Sequence, residues 1–475
     1  IDLSAGQHKL ADLNISGNIL QGNLNQFAAF NRMSTDGYID NTDFKTWNAF
    51  YQTKLNIKPG TLDFQIGRTN KAFGANSFYT AIYPNQFEET KTTFTSLKFE
   101  SGTKVHIIPS IYWRRHQDRF ELFRSEPASW YKGHNYHLTD VFGSNLNVWF
   151  ASIFGKTAFG AEIRTENIWS NVLGEALTSP IAVPGESNQF FTKSYSRTTI
   201  SYFAEHSFNL EKFYLSAGAM TNWISDLGFG WHIYPGMDAS FSLSDHFKVY
   251  GSASSSLRMP TFTDLFYNGP TNLGNPELKP EKSVNYEGGL KYNFRGISGH
   301  AGVYHRKGKD LIDWVRENET DKWQTKNLTK INSTGIELSG NFFPEKIWDR
   351  KLFVTKIGLN YAYSDQNKGD NNYFSFYILD NLKHKFDLEI NHHILSHLKA
   401  SWRLSYQDRN GMRTKTESYD PFWLVNARVM WKMPSTEIYA MAANLFNTTY
   451  FDLGTIQQPG RWISIGINHQ LNLNK

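Results

Sequence analysis

Three carboxylates, Asp36, Asp40 and Asp43, fall within the eight-residue run Asp36-Gly37-Tyr38-Ile39-Asp40-Asn41-Thr42-Asp43. Hard oxygen ligands at that density could bind Ca2+, while Asp and Asn are equally the residues of an ordinary solvated turn. His116, His134 and His137 fall in one stretch that reads as a long loop, where they could hold a metal or haem or simply face water. Gly155-Lys156-Thr157 has the ending of a phosphate loop, but Phe150 stands where the first glycine is needed. It reads as a hairpin turn. The nucleophile and zinc signatures G-x-S-x-G and H-E-x-x-H do not occur, and the chain has no cysteine. Thiolate metal sites, cysteine nucleophiles and disulfide frameworks are therefore excluded, and no enzyme is expected.

What must position these residues is a set of strands. The 475 residues are 40% apolar and 16% aromatic, yet mean hydropathy is −0.50. A wall in which only alternate residues face lipid reconciles those values. No run approaches the roughly 18 apolar residues of a spanning helix. The net charge of +5 is scattered along the chain, so no basic face for nucleic acid forms. Period-two alternation dominates: Phe213, Leu215, Ala217 and Ala219 share one face, then Met237, Ala239, Phe241 and Leu243, then Phe247, Val249, Gly251 and Ala253.

Short turns punctuate these runs near Gly22-Asn23, Pro59-Gly60, Ser101-Gly102, Gly155-Lys156, Asn209-Leu210-Glu211, Ser244-Asp245, Arg295-Gly296, Pro344-Glu345, Ser396-His397 and Pro434-Ser435. Gly, Pro, Asn and Ser are what tight hairpins demand. About ten turns on one rim imply about 22 antiparallel strands. Between them lie long polar stretches, 69–92, 115–143, 165–197, 257–282, 307–330 and 364–383, and Trp47, Trp149, Trp402, Tyr406, Trp423 and Trp431 sit toward strand ends. Short turns on one rim, long loops on the other and aromatic girdles describe an all-β transmembrane up-and-down barrel in a lipid bilayer. A soluble propeller or stacked sandwich would show evenly spaced turns and a repeated motif. The turn spacing here varies widely.

A lumen of that width is too large for the wall's own side chains, and barrels of that size carry a plug. No globular segment is left over to make one. The chain is expected to be a single barrel domain, residues 1–475, with its N-terminal plug domain missing. Ile1 to Ala5 have no signal-peptide character, so the chain is expected to begin after any such peptide and inside a strand.

The most specific segment is Leu257-Arg258-Met259-Pro260-Thr261-Phe262-Thr263-Asp264-Leu265, followed by Asn275-Pro276-Glu277-Leu278-Lys279-Pro280-Glu281-Lys282-Ser283. Each proline fixes its own φ and restricts the residue before it, so the pair describes a strand that stops, an ordered loop and a rigid restart. It resembles the two boxes, F/LR-x-P-x-x-x-x-L and NP-x-L-x-PE-x-S, of TonB-dependent outer-membrane receptors. Ala443-Asn444-Leu445-Phe446-Asn447, Tyr450 and Pro459-Gly460-Arg461 look like that family's final hairpin. The last strand departs from the pattern by ending Gln470-Leu471-Asn472-Leu473-Asn474-Lys475 rather than on an aromatic residue, and the TonB box is absent. Within the family, Asp310-Leu311-Ile312-Asp313-Trp314 and Gly335-Ile336-Glu337-Leu338 are similar to cobalamin receptors, some of which organise loops with calcium near the Asp36–Asp43 position.

The resemblance implies an outer-membrane location in a Gram-negative bacterium and active import of cobalamin or a related corrinoid. It implies as partners the plug, TonB energised through ExbB and ExbD, and in some relatives a surface lipoprotein over the loops. A ferric siderophore or haem is the alternative ligand; a passive porin or a soluble all-β binding protein is the alternative class. Ligand contacts are expected from side chains joining apolar area to hydrogen-bonding groups: Phe73, Asn76, Tyr79 and Tyr83 in the third loop, Tyr267, Asn268 and Asn272 in the seventh, and Trp323 in the eighth.

Overall fold

Alternation of apolar and polar residues puts every strand between two solvents, and such strands are stable in lipid only if the last one pairs with the first. The computed structural model shows that closure. It describes residues 1–79, 82–226, 228, 230–318, 320–368, 374–375, 381–413, 417–454 and 456–472. The wall has 22 antiparallel strands. The first eleven are β1 (Asp2–Gly6), β2 (Leu10–Gln21), β3 (Leu24–Thr35), β4 (Phe44–Ile57), β5 (Gly60–Gly74), β6 (Phe87–Ser101), β7 (Val105–Glu121), β8 (Asn135–Ser152), β9 (Gly155–Ser170), β10 (Phe190–Leu210) and β11 (Phe213–Ile224). The rest are β12 (His232–Ser242), β13 (Phe247–Arg258), β14 (Glu281–Phe294), β15 (Ile297–Arg316), β16 (Trp323–Phe342), β17 (Val354–Lys368), β18 (Leu382–His393), β19 (Leu398–Arg409), β20 (Phe422–Lys432), β21 (Thr436–Ala443) and β22 (Trp462–His469).

Each strand pairs with the next. The ring closes where β1, only five residues long, pairs with β2 on one side and β22 on the other, Leu3 opposite Ile467 and Ala5 opposite Ile465. The two faces differ as the sequence pattern requires. Inside, Asn31 donates to Asn14 (2.6 Å), Asn48 to Asn31 (3.1 Å) and Thr69 to Asn48 (2.8 Å), a polar ladder across β2 to β5. Outside, the intervening positions are exposed and apolar: Ile15, Phe30 and Ile66 here, Met237, Phe241 and Phe247 further round.

All ten short turns lie on one rim, where the alternating pattern puts them. One is longer than expected, because Pro344–Trp348 forms a helical turn before β17 starts at Val354. The opposite connections are narrower than the polar stretches suggested. The stretch 307–330 is almost all strand, since β15 runs to Arg316 and β16 starts at Trp323. Likewise 115–143 reduces to 122–134, so His116 and His137 are strand residues rather than loop residues. The reason is physical: above the bilayer both faces of a strand meet water or loops, and alternation stops marking the strand although the backbone ladder continues.

The two-solvent wall makes a test at adjacent residues. Ile200 faces outward beside Ile163, whereas Ser201 faces inward opposite Glu162. In urea unfolding of the barrel refolded into lipid vesicles, Ile200→Arg should cost about 2–4 kcal/mol, the range for a cation on the lipid face near the midplane. Ser201→Arg should cost less than about 1 kcal/mol, the lumen being wet.

Candidate functional site

The long-loop rim is built from two groups of loops that meet across the mouth. The first joins 36–43, 75–86 and 122–134. Gly37 closes its turn at φ +85°, where a Cβ would lie 2.5 Å from Thr42, so the position demands glycine. Asn76 donates through Nδ2 to the Asp40 carbonyl (2.7 Å) and through its backbone N–H to the Asn41 carbonyl (3.1 Å). Asn41 Nδ2 donates in turn to the carbonyls of Pro84 (3.0 Å) and Gln86 (2.7 Å). Arg124 completes the knot. Its guanidinium donates to both oxygens of Asp43 (2.5 and 2.9 Å) and to Asn41 Oδ1 (3.1 Å), and lies 4.5 Å from the centre of the Phe87 ring. That hydrogen bond holds the Asp43 carboxyl below the usual aspartate value.

The three aspartates thus have different neighbours: Asp36 pairs with Lys9 at 2.6 Å, both exposed, while Asp43 takes Arg124. Among the described residues no three His, Asp or Glu side chains come together as a metal-ligand group. The histidines have different hydrogen-bond partners, His116 bonded to Thr92 (2.7 Å), His134 to Tyr131 (3.1 Å) and His137 to Ser170 (2.7 Å).

Aromatic rings cover this knot. Tyr79 stands edge-on to Phe78 and Phe120, both at 5.0 Å, and its hydroxyl donates to Glu88. Tyr83 packs on Phe123 (5.3 Å) and Trp130 (5.9 Å), and Phe123 continues to Tyr131 (5.3 Å). Burial pushes the Tyr131 phenol up to about 12, and its hydroxyl accepts the Leu122 N–H at 3.1 Å. Phe78 and Trp130 remain about half exposed. Phe73 lies below them as a half-buried residue of β5, opposite Phe44 and Glu88, rather than in the loop.

The second group is the 259–280 connection with 317–322. Its anchor is the two-box segment. Thr261 caps the short helix α1 (Phe262–Phe266), exchanging hydrogen bonds with Asp264 at 3.0 and 3.1 Å. Arg258 donates to Glu281 (2.5 Å), whose carboxylate also accepts the Ile312 N–H (2.8 Å). Arg197 pairs with Asp226 at 2.7 Å, both side chains almost wholly buried, and donates to the Pro260 carbonyl (2.9 Å). Leu265, Leu278 and Ile312 form a small core beneath.

On that anchor, Asn272 pairs in parallel with Trp323, the Trp323 N–H donates to Thr271 (2.9 Å), and Gly269 donates to the Asn272 carbonyl (2.9 Å). Asn268 bridges Leu273, and the Arg316 guanidinium lies 4.3 Å from the Trp323 ring centre. Asn268, Asn272 and Trp323 therefore share one small sheet. The Tyr267 hydroxyl shares a hydrogen bond with Asn135, the first residue of β8, which ties this group to the first; burial raises its phenol.

Of the expected ligand residues, Asn76, Tyr79 and Tyr83 come together in the first group and Tyr267, Asn268, Asn272 and Trp323 in the second. Phe73 lies lower in the wall. Sequence reasoning missed Gln86, Phe123, Arg124, Trp130, Tyr131 and Arg197. Gln86 is fully buried and accepts the Tyr79 N–H at 3.1 Å. No local motif marks any of these; only the cross-strand register brings them in.

A closed wall with short turns on one rim and aromatic, amide-rich loops on the other defines an outer-membrane β-barrel. The chain belongs to the TonB dependent receptor-like, beta-barrel family, whose model matches residues 7–447. It is 26% identical over 265 residues to the vitamin B12 transporter BtuB of Vibrio vulnificus (strain YJ016), covering 54% of this chain and 40% of that protein. It is 24% identical over 305 residues to the iron-regulated outer membrane virulence protein of Vibrio cholerae serotype O1 (strain ATCC 39315 / El Tor Inaba N16961), covering 59% of this chain and 46% of that one. The matched part is thus less than half the length of either relative. Among solved structures, the copper transporter OprC superposes with a TM-score of 0.78 at 14% identity, over 99% of this chain and 79% of that one. The siderophore receptor PirA from Pseudomonas aeruginosa superposes with 0.72 at 14%, over 99% and 80%.

The Arg124 knot gives a prediction with a sign. Because the folded-state pKa of Asp43 is lowered, the pair's contribution is complete above the ordinary value of 3.8 and is lost as pH falls through the lower folded value. The amides of Ala75, Asn76 and Phe78, followed by hydrogen exchange corrected for intrinsic rates, should stay protected from neutral pH down to that ordinary value and open only below it. Arg124→Ala should open them already at neutral pH.

Proposed function

We propose that this barrel is the membrane-spanning part of a TonB-dependent active transporter, and that its two loop groups bind cobalamin or a related corrinoid. The observation that carries the receptor reading is the family match over almost the whole wall, with the two-box segment folded as the anchor of the second loop group. Support for a corrinoid comes from the curated relatives at 26% and 24% identity named vitamin B12 transporter, together with Asp310 to Trp314 and Gly335 to Leu338. The loops supply suitable chemistry: broad faces on Tyr79, Tyr83 and Trp323, and amides on Asn76, Asn268 and Asn272, match a ligand that is itself a large ring fringed with amides.

Transport in this reading needs the plug inside the barrel and TonB, driven by ExbB and ExbD, to move it; the wall encloses and the loops recognise. The second reading is a ferric siderophore receptor, favoured by the similarity to the iron-regulated virulence protein of Vibrio cholerae.

Equilibrium binding of cyanocobalamin, a ferric catecholate siderophore and haem to the plug-containing protein separates these. Saturable cyanocobalamin binding is expected, weakened at least about tenfold by Trp323→Ala, as for an aromatic anchor at a binding centre. Siderophore binding without cyanocobalamin binding would sink the corrinoid assignment and leave the receptor reading intact.

A further inference from the structure

The outer wall carries a feature that neither ligand binding nor transport uses. Opposite the inner ladder Asn14–Asn31–Asn48–Thr69, the outward face of β3 to β5 bears Arg32, Lys45 and Arg68, all exposed. Register places them around one tryptophan: Arg32 pairs across with Trp47, Lys45 is two residues from it on β4, and the Arg68 guanidinium lies 5.9 Å from its ring centre. No ion pair among the described residues engages any of the three. Asp43, the acid that feels Lys45, is already held by Arg124. Further round the same outward face the cations are neutralised, Arg115 by Asp140 (2.6 Å) and Arg119 by Glu89 and Glu186 (3.2 and 2.9 Å). Another exposed row without an ion pair among the described residues, Lys282, Lys309 and Lys330, lies on β14 to β16 across the barrel, away from Trp47 and the seam groove.

Beside it, a groove of about 610 Å³ runs down the seam of the barrel, with Arg32 and Ser34 on its edge. Its walls are Leu3, Leu13, Ile438, Ile465 and Ile467, and its recess comes from alanines such as Ala5 where neighbouring strands carry larger side chains. Tryptophan marks the bilayer–water interface. Cations at that height cannot be neutralised by hydrocarbon below, and water alone leaves the apolar groove uncovered. A ligand with an anionic head and an acyl tail satisfies both.

We propose that this face is a binding site for a phosphate-headed lipid of the outer leaflet. Arg32, Lys45 and Arg68 take its phosphate groups, and an acyl chain lies in the groove between β21, β22, β1, β2 and β3. The arginines suit the role because their planar forks meet phosphate oxygens in pairs.

Native mass spectrometry and thermal unfolding of the refolded full chain in detergent test this, with three probes: bis-phosphorylated lipid A, the same glycolipid stripped of phosphate, and inorganic phosphate. Only the phosphorylated lipid should bind saturably and raise the melting temperature, with an affinity that falls as salt rises. Arg32→Gln, Lys45→Gln and Arg68→Gln together should weaken it roughly a hundredfold, the sum expected for three cations near an anionic surface. Lys58→Gln, Lys104→Gln and Lys212→Gln, in turns of the opposite rim, should leave it unchanged. Equal binding of the stripped glycolipid, equal binding of free phosphate, or an unaltered affinity in the first triple variant would each overturn the proposal. Should that variant fail to fold, the wild-type preference for the phosphorylated lipid and its salt dependence decide alone, and their absence refutes it.

Discussion

Everything in this protein follows from the backbone's need for hydrogen-bond partners where there is no water. In hydrocarbon an unpaired amide costs several kcal/mol, so a sheet edge in the bilayer is not permitted. The five residues of β1 carry that burden at the seam, pairing with β2 and β22 at once. With the backbone satisfied by the ring, side chains are free to differ on the two faces. The outer face becomes Leu, Ile and Phe, while the inner face becomes a ladder of amides and hydroxyls that satisfy one another across strands.

The same ladder continues past the bilayer and determines what the loops can do. Long strands such as β15 and β16 carry their loop far above the membrane and leave only 317–322 to turn the chain. A loop raised in this way is ordered by what it can bury. Arg197 and Asp226, both nearly inaccessible, sit under the 259–280 connection, and removing one partner of such a pair costs about 3–5 kcal/mol. The exposed Lys9–Asp36 pair sits at the other extreme, worth about 0–1 kcal/mol. Loop order here rests on the buried pair, the Arg258–Glu281–Ile312 chain and the Leu265 core.

How legible this was in the sequence depends on which solvent a residue meets. Where one face met lipid, alternation revealed the strands, and turn residues located the ten tight connections; Met237, Ala239 and Phe241 are opposite the partners their parity implies. Where both faces met water, the pattern vanished. His116 and His137 looked like loop residues although each is paired in a strand. The site was half legible: Asn268, Asn272 and Trp323 were chosen for their chemistry and do share one small sheet. Arg124 and Gln86 were invisible, because their partners are distant in sequence and register is a property of several strands together.

The two-box residues and the side chains exposed at the mouth occupy different places. The two-box residues that make the resemblance to the family turn inward: Arg258 onto Glu281, Asp264 onto its own cap, Pro260 and Pro280 into full burial. They hold the loop, although the Arg258 side chain stays half exposed. The side chains left at the mouth, such as Phe78, Tyr79 and Trp130, can change without disturbing a backbone hydrogen bond. A wall that superposes on a copper transporter and on a siderophore receptor at 14% identity is what that separation produces. Closure and anchoring hold the barrel to one geometry, and the rings and amides at the rim lie outside that constraint.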